Sequence, residues 1–340
     1  MIYLTRRPKE ALCIAVLIAL CGPSADAQSA PDKIRGMTVS CPTDGSEWGT
    51  DAMVHTMAEL KELGVTWISI HPYAHLRRDG RLRSYFANDS KNPPTYLARP
   101  IAEAHRLGLK IMIKPHISYW GSFPWRGAIK FQSEEEWQRF FAGYAQWIVD
   151  LAQICRDADA FVVGTELDRT VRFAAQWRHI IASVRLHFGG PVTYAANWTD
   201  YERVPFWDAL DAIGIQAYFP LLDPGTEPSP AALAAGWQNI MERLRAFSKA
   251  QDKYVVFTEM GYNRSVQAPY EPWEYEVGGV DAEAVQTRCL AAALEAIEHE
   301  PRVVGTFLWK WFPGERTPRN FAKSTPAMRR VIARWWTESP

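Results

Sequence analysis

The chain has 340 residues, 47% hydrophobic and 22% charged, with 38 basic and 38 acidic side chains and a formal net charge of zero. That balance suits a globular protein with a sizeable core, and it excludes the basic footprint of a nucleic-acid binder and the acidic tail of an interaction module. The aromatic content is high: 15 Trp, 13 Tyr and 15 Phe, enough for a large core and for a cleft whose rings stack on the apolar faces of sugars.

In chain order, the first 27 residues read as a secretory signal. "RRPK" is a basic start, "ALCIAVLIALCG" an apolar run too short to span a bilayer comfortably, and "ADA" a small-residue cleavage site ending at Ala27. Residues 28–340 are then the mature chain, secreted or periplasmic. The bulky Leu20 before Cys21 argues against a lipid anchor there, and no later segment predicts a membrane span. Cys41, Cys155 and Cys289 remain and allow at most one bridge.

Strand and helix patterns alternate from there. "KIRGMTVS" reads as a strand. "TDAMVHTMAELKELG" reads as a helix, with Met53, Met57, Leu60 and Leu63 on one face and Gly64 as a stop. "VTWISIHP" is a strand, "RPIAEAHRLG" a helix, "LKIMIKPH" a strand. Ser133 and Glu136 form a capping box for a helix carrying Trp137, Phe140, Phe141, Tyr144, Trp147, Ile148 and Leu151. Next come "DAFVVGTEL" (strand), "VRFAAQWRHIIASVRLHF" (helix), "PVTYAANW" (strand), a short helical turn near "VPFWDAL", and "DAIGIQAYFP" (strand). "PAALAAGWQNIMERLRAFSKA" (helix), "KYVVFTEMGY" (strand), "DAEAVQTRCLAAALEAIEHE" (helix), "RVVGTFLWKWFP" (strand) and "PAMRRVIARWW" (helix) complete the chain. Eight short apolar strands, each followed by a helix, predict parallel strands closed into a (β/α)8 barrel of α/β class, in a single domain. The rival doubly wound sheet lacks its glycine-rich phosphate turn, since "SCPTDGSEW" follows the first strand.

Barrel active sites lie at the C-terminal ends of the strands. Strand four ends on Glu166 and strand seven on Glu259. By alternation Val162, Gly164 and Glu166 share one face, as do Val255, Phe257 and Glu259. A carboxylate ending a buried strand is costly unless it is paired, hydrated or functional, and two at one mouth match the chemistry of glycoside hydrolysis. One carboxyl protonates the leaving oxygen; the other attacks the anomeric carbon or activates water. The first must be protonated and the second ionised, so the second needs donors, and Tyr218 at the end of strand six is placed to supply one.

The strings "VVGTELDR", "IGIQAYFP", "VVFTEMGY" and "FLWKWFPG" resemble glycoside hydrolase clan A, the 4/7 superfamily, and in particular family 113, whose characterised members are endo-β-1,4-mannanases. The resemblance covers about residues 34–338. It implies a retaining enzyme with Glu166 as acid/base, Glu259 as nucleophile, Tyr218 touching the nucleophile, Trp309 under the sugar at the cleavage point, and a polysaccharide or oligosaccharide as partner. No cofactor or metal is implied. Many clan members place Asn directly before the acid/base; Thr165 stands there in this chain.

Other strand-end residues are candidates for sugar contacts. Trp311 extends the Trp309 platform, Asn197 reaches a hydroxyl or caps its own loop, and Lys114, His116 and His71 orient a hydroxyl or a carboxylate. Trp120 and Trp125, on the long loop after strand three, wall the cleft or pin the loop. Two other classes stand as alternatives. One is a metal-dependent barrel hydrolase using His71, His75, His116 and Glu166, which "HPYAH" fits poorly. The other is a glycan-binding barrel without chemistry.

Overall fold

The computed structural model describes residues 32–84, 86, 91–314 and 320–338; the expected leader and cleavage site lie outside them. Eight strands close into a parallel barrel: β1 (Ile34–Val39), β2 (Trp67–Ile70), β3 (Lys110–Ile113), β4 (Ala160–Thr165), β5 (Val192–Asn197), β6 (Ile213–Gln216), β7 (Val255–Met260) and β8 (Val303–Trp311), with β8 paired to β1. Seven α-helices are present among the described residues: α1 (Asp51–Glu62), α2 (Thr95–Arg106), α3 (Glu134–Ile154), α4 (Ala174–Arg185), α5 (Pro230–Ala250), α6 (Ala282–His299) and α7 (Pro326–Trp336). This is the expected (β/α)8 barrel.

Local chemistry accounts for the helix ends. Ser133 accepts from the Glu136 N–H while the Glu136 carboxylate accepts from the Ser133 N–H, closing the expected capping box on α3. Ser229 and Thr325 cap α5 and α7, each followed by a proline whose missing N–H is not needed at the first helical position. One boundary differs from the sequence reading. Helix α2 starts at Thr95, so Pro100 lies inside it and deprives the Tyr96 carbonyl of its i+4 donor. Between β5 and β6 the expected short helical turn near "VPFWDAL" is present as a 3-10 turn, in place of the α-helix that follows the other strands. The Pro205 segment makes 3-10 turns at Tyr201–Arg203 and Trp207–Ala209, pinned by the Trp207 indole donating to the Tyr201 carbonyl at 2.8 Å.

The strands bury both faces. Met112, Val162, Ala195, Val256 and Phe307, contributed by strands alone, fill the barrel; at Gly36 a Cβ would stand 2.4 Å from the Phe307 ring, so that site admits only glycine. Outside, the helices pack on a larger cluster that includes Trp177, Tyr194, Phe206, Trp237 and Phe257. A small second sheet, unforeseen, joins Leu82–Ser84, Tyr73–Leu76 and His116–Ser118 beyond the ends of β2 and β3, and fixes His116 at the mouth.

The simple alternation expected on β4 and β7 does not hold. On β7 the pairing with β6 runs Phe257 to Ile215 and then Glu259 to Gln216, two residues against one. This bulge turns Glu259 inward although Val255 and Phe257 belong to the outer cluster. On β4 the register with β5 also slips, between Val162 and Thr165. Val162 points into the barrel, whereas a Cβ on Gly164 would meet Trp177 and Tyr194 outside. Glu166 itself takes φ 51°, a left-handed conformation that costs a non-glycine residue about 1–2 kcal/mol. Its N–H donates to the Ala195 carbonyl at 2.9 Å, and the Tyr194 hydroxyl accepts from the next N–H at 2.8 Å. The backbone is therefore tied down where the carboxylate leaves the sheet.

Candidate active site

The mouth of the barrel holds a cleft of about 460 Å³ whose lining includes Glu166, Glu259, His116, Asn197, Tyr218 and Trp309. A larger groove, about 740 Å³, runs between α3 and α4 outside the barrel and contains neither glutamate.

Glu259 is held from several directions. Its Oε1 accepts from the Lys114 ammonium, which also donates to the Thr258 carbonyl at 3.1 Å. Its Oε2 accepts from the Tyr218 hydroxyl at 2.9 Å. His116 Nε2 stands 3.4 Å from Oε1. Burial opposes ionisation of Glu259, but Lys114 and the neighbouring His116 together outweigh it and hold the carboxyl well below the usual range. Burial lowers the His116 pKa to about 3, and the Arg126 charge acts the same way, so this imidazole is neutral and Lys114 is the compensating cation.

Glu166 has the opposite bias. Burial raises its pKa; the negative charge of Glu259 adds to the rise, and Arg126, with Nη1 3.6 Å from Oε2, works against it. One carboxyl of the cleft is thus biased toward the acid and the other toward the carboxylate.

Trp309 lies at the floor. Its ring faces His116 at 6.1 Å and 25°, with the Lys114 ammonium 5.3 Å from its centre. His71 does not reach the cleft. It is fully buried, with Nε2 3.0 Å from the Ser40 hydroxyl and its ring stacked on His116 at 5.0 Å, so it supports the floor from behind. Lys114 is likewise fully buried and does not line the cleft; its ammonium is taken up by the Glu259 carboxylate and the Thr258 carbonyl. Asn197 lines the cleft, with its side-chain oxygen 3.5 Å from the Thr199 N–H. Trp125 lines it too, whereas Trp120, 60% exposed, rests on Tyr73 and Tyr119 outside it.

Trp311 does not extend the platform. Along β1 and β8 the partners run Thr38 to Trp309 and then Val39 to Trp311, so a bulge at Lys310 turns Trp311 away; it is buried in the outer cluster under Arg329. Among the described residues no three His, Cys, Asp or Glu side chains gather as a metal site would require. Cys41, Cys155 and Cys289 are unpaired.

Several lining residues were not anticipated. Arg126 comes from "PWRG" in the loop after β3. Trp198 and Trp273 stack at 5.4 Å and 18°, and Tyr275 packs edge-on against Phe321 at 5.5 Å. The signal for the last group was present in the sequence: the connection from β7 to α6 spans about twenty residues and carries "PYEPWEYE", and a connection that long is usually functional.

A parallel barrel whose mouth holds an aromatic, sugar-sized cleft and two carboxyls of opposite bias defines a glycoside hydrolase. The family model described as Glycoside Hydrolase Family 113 matches residues 37–325, and the chain belongs to that family. Among solved structures, it is similar to the family 113 β-mannanase of Alicyclobacillus acidocaldarius in complex with ManMIm, at 28% identity and TM-score 0.78, over 91% of this chain and 98% of that one. A second family 113 β-1,4-mannanase complex matches at 22% identity and TM-score 0.78, over 91% of this chain and all of the other. A β-glucuronidase of Ruminococcus gnavus shares the barrel at 13% identity and TM-score 0.60, over 90% of this chain and 50% of that one. None of the curated protein sequences matches the chain.

Proposed function

We propose that this glycoside hydrolase is a secreted or periplasmic retaining enzyme that cleaves β-1,4-mannan or a closely related β-glycan internally, with Glu166 as acid/base and Glu259 as nucleophile. The observation that carries the reading is the opposite protonation bias of the two carboxyls in one cleft. The substrate class rests on the family 113 relatives, whose solved members are β-mannanases.

In the first step Glu259 Oε1 or Oε2 attacks the anomeric carbon. The glycosidic bond breaks, and the departing oxygen takes the Glu166 proton. Forming the glycosyl ester removes the Glu259 charge, and with it the repulsion that helped keep Glu166 protonated. Glu166, now an anion beside Arg126, takes a proton from water as that water attacks the anomeric carbon and Glu259 leaves. Trp309 offers a flat apolar face to the sugar at the cleavage point. The neutral His116, with Nε2 3.4 Å from Glu259 Oε1, backs the nucleophile from the floor of the cleft.

The test is reducing-sugar release from glucomannan, galactomannan, xylan, cellulose and laminarin by the wild type and Glu166→Gln. Release from the mannans alone, lost in the variant, is expected. Release from another glycan would overturn the mannan assignment and keep the mechanism. No release from any would sink both. Product anomers followed by NMR should retain the β configuration; inverted products would remove Glu259 as nucleophile.

A further inference from the structure

The side chain of Asn263 lies four residues beyond Glu259, is buried to 1% exposure and does not itself line the cleft. Its amide uses every hydrogen-bonding valence. Nδ2 donates to the Glu274 carbonyl at 2.9 Å and to the Glu276 carbonyl at 2.7 Å; Oδ1 accepts from the Arg264 N–H at 2.9 Å and the Phe321 N–H at 3.1 Å. Three separate stretches of chain meet on this one group: the exit of β7, the loop bearing Trp273 and Tyr275, and the segment after β8 bearing Phe321.

Those stretches make one wall of the cleft. Trp273 stacks on Trp198, while Tyr275 packs edge-on against Phe321 and Phe321 edge-on against Tyr218, the donor to Glu259. The loop is also held at its base, where the Val266 N–H donates to the Gly278 carbonyl and the Gly278 N–H to the Arg264 carbonyl, both at 3.1 Å, and near its start, where the Pro269 carbonyl accepts from the Leu221 N–H at 2.8 Å and the Tyr270 hydroxyl donates to the Thr226 carbonyl at 2.6 Å. Between those points the backbone at Glu274 and Glu276 is fixed to the barrel through Asn263. Trp273 and Tyr275, 37% and 62% exposed, present ring faces to solvent at the edge of the cleft. Open aromatic faces beside a sugar-sized cleft suit stacking on sugar units away from the cleavage point, and a site of that kind works only if the rings are held in place before binding.

We infer that Asn263 is a positioning residue for chain-length recognition: it fixes the Trp273–Tyr275 wall so that sugar units beyond the cleavage point are bound. This rests on the glycan-hydrolase reading above. Asn263→Asp keeps the size and both acceptor contacts but replaces the doubly donating NH2 with a single oxygen facing two carbonyls, which releases the wall and leaves the Phe321 contact. Steady-state kinetics on β-1,4-mannooligosaccharides of three to six units are the test. The wild-type KM should fall as the chain lengthens. In Asn263→Asp this fall should be lost, with KM for the hexamer about tenfold higher, while kcat and the kcat/KM of the shortest cleaved oligomer stay within twofold. Trp273→Ala should show the same length-dependent loss, and combining the two changes should add little.

An equal loss on all lengths, tracking a drop in melting temperature, would make Asn263 merely structural. A length effect in Trp273→Ala that is absent in Asn263→Asp would overturn the tether. Failure of the wild type to cleave any mannooligosaccharide would strike the substrate reading instead, and the same length series would then be run on oligomers of whichever glycan it cleaves.

Discussion

Lys114 and Glu259 form an ion pair shut away from water, their side chains 0% and 6% exposed. Such a pair is a poor stabiliser compared with apolar residues of similar size, but removing one partner leaves a bare buried charge. Its value is electrostatic: without the ammonium, burial would push the nucleophile toward its protonated, inactive form.

Lys114→Met should therefore damage chemistry more than binding. The Glu259 pKa rises when its cation goes, so the acid limb of the kcat/KM profile should move to higher pH. Near neutral pH kcat should fall roughly 150- to 5000-fold, the rate equivalent of the roughly 3–5 kcal/mol that follows loss of one buried partner. A pH–rate profile checks this. An acid limb left in place would mean that another group sets the charge of Glu259.

Tyr218→Phe removes the 2.9 Å donor from Oε2 and little else, because the ring still packs edge-on against Phe321. A hydrogen bond to a charged group is worth about 1.5–3 kcal/mol, so kcat should fall roughly 10- to 150-fold. KM and the melting temperature should change little. A comparable rise in KM with kcat intact would recast Tyr218 as a sugar contact.

How much of this was legible in the sequence follows from what each signal depends on. Strand order and helix extents depend on local periodicity and caps, and "PAALAAGWQNIMERLRAFSKA" matched α5 residue for residue, because Ser229 and Pro230 mark its start. The two glutamates were found because a carboxylate at the end of an apolar run is conspicuous. The face argument beside them failed: bulges on β4 and β7 reset the alternation, and bulges leave no mark in composition. The same cause put Trp311 on the wrong side of β8. Arg126, Trp198, Trp273 and Tyr275 were missed because loops from three different parts of the chain bring them together, and no local pattern carries that information.

Arg126 makes a separate prediction about the acid. Activity requires Glu166 protonated, so the rate falls as pH rises through its pKa. Burial raises that pKa and Arg126 restrains the rise. Arg126→Met should move the alkaline limb of kcat/KM up by about one pH unit, at the lower end of what a neighbouring opposite charge contributes. It should also slow the second step, which needs Glu166 as an anion. With an activated aryl glycoside, a burst of aryl alcohol followed by a slower steady state is expected. A downward shift of the alkaline limb, or no burst, would contradict the role.

The buried histidines tie stability to pH in a direction that can be worked out. His116 falls from an ordinary 6.5 to about 3 and His71 lies well below 6.5, in both cases chiefly through burial. Between the folded and unfolded values the unfolded chain binds more protons, so stability rises with pH across that window and is lost as pH falls from about 6.5 toward 3. Each histidine contributes a slope of at most about 1.4 kcal/mol per pH unit there. Urea unfolding at pH 4.5 and 6.5 should show the wild type markedly weaker at the lower value. His116→Gln, which cannot take up a proton in either state, should narrow that difference. An unchanged difference in the variant would mean that His116 is protonated in the folded enzyme, and the neutral imidazole beside Glu259 would have to be abandoned.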